Sequence, residues 1–167
     1  MIELKPAVLY LDQLNENLKN LTYSTEVANV TGNLLFDGVL AVDGAVDMND
    51  CSTSAYKYAI VNNTTVIGYF TYKIDWLTRA VNSIYLISFY DKCPELGLLI
   101  YKEINKLIKK YHSVSWIAID TCKALETYKK FVKRYNKNGI INYYPQSLID
   151  TNGCYHDKYE FYIYNKV

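Results

Sequence analysis

At 167 residues, half of them apolar, the chain is long enough to bury one sizeable core and too hydrophobic to be disordered. Its formal net charge of +1 argues against a nucleic-acid partner, and no apolar run approaches the ~20 residues of a membrane span. The opening residues MIELKPAVLYLDQLNE lack a basic-then-apolar leader pattern, so the expectation is a soluble, cytoplasmic protein without a membrane partner.

Residues Met1–Val8 read as a first strand, with Pro6 marking an edge or an early end. Leu11, Leu14, Leu18 and Leu21 recur at helical offsets and predict an amphipathic helix. From Thr22 to Thr53 the periodicity dissolves around Gly32, Gly38 and Gly44, and residues 47–54 are polar. A short helix and loops are expected there. Tyr56–Val61 and Thr65–Ile74 are rich in β-branched and aromatic residues on either side of Asn62-Asn63-Thr64, which predicts an antiparallel hairpin. Asp75–Asn82 reads as a connection and Ile84–Phe89 as a central strand.

Residues 83–108, SIYLISFYDKCPELGLLIYKEINKLI, read as a buried strand, a short loop and a helix opening at Gly97. Free N–H groups and the positive end of the helix dipole make such a junction a site for phosphate. Ile100, Ile104, Leu107, Ile108 and Tyr111 give that helix one buried face, and Lys102, Lys106, Lys109 and Lys110 a solvated one. Val114–Ile119 is a short apolar run typical of a buried strand. Leu125, Tyr128, Phe131, Val132 and Tyr135 form a second helical stripe ended by Asn138-Gly139. Ile140–Tyr144 and Lys158–Tyr164 close the chain as two strands. The order β-α-(α)-β-β-β-α-β-α-β-β implies an α/β (α+β) architecture, a mixed sheet with helices on both faces.

Cys51, Cys93, Cys122 and Cys154 form no CxxC pair, so neither a zinc site nor a disulfide framework is expected, and no metal is assigned. His112 and His156 read as structural or exposed. No Ser/His/Asp spacing, HExxH or Walker loop is present.

The element order resembles that of the GNAT superfamily of acyl-CoA-dependent N-acetyltransferases, and local motifs agree. Thr65–Tyr69, TVIGY, is similar to the family's third strand. Lys92-Cys93-Pro94-Glu95-Leu96-Gly97 is similar to its pyrophosphate loop, [Gln/Arg]-x-x-Gly-x-[Gly/Ala], with Glu95 in place of the middle glycine. Thr121-Cys122-Lys123-Ala124-Leu125-Glu126-Thr127-Tyr128 matches the alanine and tyrosine of Asn-x-x-Ala-x-x-x-Tyr, with Thr121 replacing asparagine. Tyr135-Asn136-Lys137-Asn138-Gly139-Ile140 echoes the family's Tyr-x-Lys-x-Gly-Phe, and a helix lengthened by two turns would set Tyr128 and Tyr135 on one face.

This resemblance implies a single GNAT-like domain, with residues 1–55 on the substrate side and 56–167 forming the hairpin, the CoA-binding core and the closing strands. It implies acetyl-CoA as co-substrate and a small-molecule or peptide amine as acceptor, joined by direct attack in a ternary complex. The pyrophosphate would meet Lys92, Cys93, Pro94, Glu95, Leu96, Gly97 and Leu98. The pantetheine arm would run beside Ile87, Ser88 and Phe89, and a backbone N–H near Phe89 would stabilise the developing oxyanion. Tyr128, with Tyr135 in reserve, would protonate the leaving thiolate as general acid. The acidic run Asp37, Asp43, Asp47 and Asp50 reads as a solvated loop face or as a lure for a cationic amine. A catalytically silent GNAT-like binding or inhibitory protein is the alternative reading, and a homodimer is left open.

Overall fold

A computed structural model describes residues 1–21, 45–47, 50–89, 93–149 and 152–165. Strand β1 (Ile2–Pro6) runs into a 3₁₀ turn (Ala7–Tyr10) and helix α1 (Leu11–Leu21). Strands β2 (Ala45–Asp47), β3 (Asp50–Asn62), β4 (Thr65–Asp75) and β5 (Ala80–Ser88) follow. Helix α2 (Pro94–Lys110), β6 (Ser113–Ile119), α3 (Leu125–Lys133), a second 3₁₀ turn (Asn136–Asn138), β7 (Gly139–Ile149) and β8 (Tyr155–Tyr164) complete the chain.

The strands form one mixed sheet in the order β1-β3-β4-β5-β6-β8-β7, with β2 pairing β3 off that path. Among the described residues only β5 and β6 pair in parallel. That is why a helix, α2, has to carry the chain between them. The expected hairpin is β3–β4, with Asn63 at φ 58 in its turn, a conformation asparagine tolerates better than most residues.

Alternation along the strands divides the molecule into two layers. On one face Phe70, Ile74, Val81, Ile84, Val114, Trp116, Phe161 and Ile163 pack under α2 and α3 through Leu96, Ile100, Ile104, Phe131 and Val132. On the other face Ala59, Val61 and Tyr69 pack with Leu14 of α1. Gln13 ties α1 to the hairpin: its Oε1 accepts from Val66 N–H at 3.1 Å.

Several expectations are corrected. Helix α2 opens at Pro94, three residues before Gly97: a proline at the first helical position loses no hydrogen bond, and its fixed φ suits the helix. The polar residues Asp50–Thr53 are strand, because backbone pairing with β2 and β4 overrides their low propensity. Ala80–Asn82, expected in a connection, belongs to β5. Helix α3 ends at Lys133, so Tyr135 sits beyond it rather than on a lengthened helix. Strand β7 continues through Pro145 to Ile149 by shifting register between Tyr144 and Leu148, where Gln146 has φ 47. Lys92, Asp37 and Asp43 lie outside the described residues.

Candidate functional site

The site is built on the parallel seam. Strands β5 and β6 pair at Ala80↔Ser113, Val81↔Val114 and Ile84↔Trp116, with a register shift before the last pair, where Ser83 takes φ 53. Beyond Ile84 and Trp116 they share no pair. Residues 85–88 of β5 stay paired with β4, while Ile117–Ile119 of β6 stay paired with β8. The sheet therefore opens into a fork.

The parity of the β4–β5 ladder decides which backbone groups face that fork. Phe89 N–H donates to Ile67 O at 2.9 Å, in the same register as Tyr69↔Ile87 and Thr71↔Tyr85. In an antiparallel ladder the intervening residues turn their N–H and C=O the other way. Leu86 and Ser88 consequently point their backbone groups into the fork. Of Ile87, Ser88 and Phe89, Ser88 turns its backbone toward the fork. Phe89 commits its N–H to β4, and Ile87 follows the same parity. Leu86 is a fork residue that composition and periodicity could not single out, because the ladder's phase is set by pairing.

At the mouth of the fork stands the N-terminus of α2. Cys93 caps it at φ −116, ψ 88, without a side-chain hydrogen bond. Leu96 N–H bonds back to Cys93 O at 3.1 Å, and the Leu96 side chain is buried in the core. Glu95 is exposed in the first turn, where a carboxylate favours the helix dipole. Leu98 points outward. Gly97 faces open space: a Cβ built there meets no atom within 4 Å. The junction is thus a short helix mouth with a bare glycine one turn in, rather than a long loop ending at that glycine.

Tyr128 lies on α3 above the vertex. Its ring packs edge-on against Trp116 at 5.9 Å and Phe161 at 5.9 Å, and Trp116 is the last β6 residue paired with β5. Tyr135 is placed differently. Its hydroxyl donates to Asn105 Oδ1 on α2, its ring packs edge-on against Phe131 at 5.6 Å, and burial raises its phenol above the usual range. Tyr135 therefore joins α3 to α2 rather than facing the fork. The Trp116 indole Nε1 is buried without a hydrogen-bond partner among the described residues.

The histidines are held by neighbours. His112 packs edge-on against Tyr164 at 6.1 Å, and His156 Nδ1 lies 2.9 Å from Asp120 Oδ1 at the end of β6. Among the described residues no group of His, Cys, Asp and Glu could hold a metal ion, and no helix is long and apolar enough to cross a membrane.

No protein-family model and no curated protein matches the sequence. Solved structures do match. RimL, a ribosomal alpha-N-protein acetyltransferase in complex with coenzyme A, is 14% identical, with a TM-score of 0.64 over 98% of this chain and 94% of that one. The microcin C7 self-immunity acetyltransferase MccE, in complex with acetyl-CoA and AMP, is 15% identical, with a TM-score of 0.63 over 98% and 92%. A spermidine N-acetyltransferase SpeG chimera from Vibrio cholerae and hSSAT is 12% identical, with a TM-score of 0.61 over 98% and 95%. The resemblance to the GNAT superfamily read from the sequence thus holds at the level of the fold: the chain has the α/β fold of GNAT acetyltransferases.

Proposed function

We propose that the protein is an N-acetyltransferase that moves an acetyl group from acetyl-CoA to a primary amine by direct attack in a ternary complex. The observation that carries this reading is the fork after Ile84↔Trp116, where β5 and β6 part near the N-terminus of α2. Two of the matching structures hold coenzyme A or acetyl-CoA, which supports the same co-substrate here.

Acetyl-CoA, when bound, supplies an activated acyl thioester. The chain's own groups fit its parts. The N–H of Glu95, the mouth of α2 and the bare surface at Gly97 accept a pyrophosphate, and Lys92 offers a countercharge. Leu86 and Ser88 present strand-edge N–H and C=O groups to the amides of a pantetheine arm, as a neighbouring strand would. Tyr128 gives its hydroxyl proton to the departing sulfur, and its packing on Trp116 and Phe161 holds the ring in place. The reaction is expected in the soluble phase, where free amines and acetyl-CoA coexist.

Calorimetry with acetyl-CoA, paired with thiol release in the presence of amines, tests this reading. Saturable binding and amine-dependent thiol release are expected. No binding at millimolar acetyl-CoA overturns it, and binding without turnover across amine classes favours the catalytically silent alternative.

A further inference from the structure

On the sheet face opposite α2 and α3, a cavity of about 140 Å³ opens at the vertex of the fork. Tyr85 of β5, Ser115 and Ile117 of β6, and Glu160 and Tyr162 of β8 line it. Strand alternation sets these side chains on that face, since their neighbours Ile84, Trp116 and Phe161 point into the core beneath the helices. None of this chemistry is used by the groups assigned to acetyl-CoA.

Glu160 is its one carboxylate. The side chain is 19% exposed, flanked by Ile117 across the β6 ladder and Asn142 across the β7 ladder. Its Oε2 accepts from the hydroxyl of Tyr162 at 3.2 Å and of Tyr144 at 3.3 Å, and Lys158 Nζ lies 3.3 Å from Oε1. A carboxylate offers about four lone-pair sites. Three are taken, and one remains for a ligand. Lys158 does not line the cavity, and its ammonium sits over the Tyr144 ring at 4.7 Å.

The walls define the rest of the ligand. Ile117 and Tyr85 are half-exposed apolar surfaces beside the carboxylate. Such a pairing suits an alkyl chain ending in a cation, with tyrosine faces adding cation–π attraction. The volume, about five water molecules' worth, admits a short alkyl end.

We infer that this cavity receives the reacting end of the acceptor, and that the acceptor is an aliphatic primary amine whose ammonium group is held by Glu160 and attacks as the free amine after one proton passes to solvent. The inference rests on the acetyltransferase reading for the ligand's fate, but the cavity's preference stands apart from it. Glu160 is here a binding and positioning residue: it selects the cation and aims it at the vertex, where Ile84 and Trp116 part.

Calorimetric titration with n-butylamine, n-butanol and butyrate tests it, run with and without acetyl-CoA. Butylamine is expected to bind saturably, the neutral isostere and the anion not. Glu160→Gln, which keeps an oxygen for Tyr144 and Tyr162, should weaken butylamine about 10- to 100-fold and raise the acceptor KM alike, leaving acetyl-CoA affinity unchanged. Ser115→Leu, which fills the cavity, should block the amine in a protein of wild-type melting temperature. Equal binding of butylamine and butanol, or a Glu160→Gln protein that binds butylamine like wild type, overturns the inference. If butylamine binds and acetyl-CoA does not, the acetyltransferase reading falls while the amine cavity stands.

Discussion

Ile84 and Trp116 are the last residues that β5 and β6 share, and the edge of the Tyr128 ring rests on that same Trp116. The place where the sheet parts and the tyrosine that matches Asn-x-x-Ala-x-x-x-Tyr are thus in direct contact. Tyr128→Phe removes the hydroxyl and keeps the ring on Trp116 and Phe161. Turnover is expected to fall by about 10²-fold or more, with acetyl-CoA affinity and melting temperature near wild type. Steady-state kinetics with parallel calorimetry checks both halves, and wild-type kcat in this variant would remove Tyr128 from the mechanism.

Tyr135 gives the contrasting result. Its hydroxyl bonds Asn105 across the α2–α3 contact, so Tyr135→Phe should cost about 1 kcal/mol of stability and leave kcat unchanged. Denaturant unfolding and kinetics on the same preparation separate the two tyrosines.

Gly97 and Gly139 should respond in opposite directions to alanine. Gly97 lies inside α2 with nothing within 4 Å of a built Cβ, so Gly97→Ala should gain about 0.5–1 kcal/mol through helix propensity. A longer side chain there, as in Gly97→Leu, should weaken acetyl-CoA binding without lowering the melting temperature. At Gly139 a Cβ would stand 2.2 Å from the Val132 carbonyl oxygen, where α3 hands over to β7. Gly139→Ala should therefore destabilise by about 1–3 kcal/mol, read from thermal unfolding.

The Asp120–His156 pair gives the acid limb of stability. Burial alone would raise the Asp120 carboxyl, but the hydrogen bonds from His156 and from Asp157 N–H at 3.1 Å outweigh it and hold the carboxyl below its ordinary value of 3.8. A carboxyl depressed on folding contributes stability above its unfolded pKa and loses it as pH falls through the folded one. Melting temperature should therefore drop below about pH 4 in the wild type and less steeply in Asp120→Asn. Identical profiles would show that the pair contributes nothing.

The parts of the fold governed by local periodicity were legible in the sequence. The leucines of α1, the stripe of α2 and the β3–β4 hairpin all follow from spacing alone. What escaped was decided by partners far away in the chain. Asp50–Thr53 is strand because two other strands pair with it. Pro145 and Gln146 look like a turn, yet β7 carries them as a bulge held by Asp157, whose Oδ1 accepts from Gln146 N–H at 2.8 Å. The start of α2 was available from Pro94, a signal overshadowed by the glycine that follows. Glu160 was invisible as a site residue: within YEFYIY it alternates like any solvent-facing position, and only the fork makes its face a cavity. The charges at Asp37 and Asp43 fall outside the described residues.

The seam between β5 and β6 also bears on how the chain reaches its native state. The pairings β3–β4, β4–β5 and β7–β8 join neighbours in sequence and close short loops, whereas the seam waits for all of α2 to be spanned. Loop-closure entropy places such a join, like the still longer β1–β3 and β6–β8 closures, after the hairpins in folding. The β3–β4, β4–β5 and β7–β8 pairings should form before β5 and β6 meet at Ile84 and Trp116. Early refolding intermediates would then carry hairpin strand content but lack the vertex, so acetyl-CoA and amine binding should return after it.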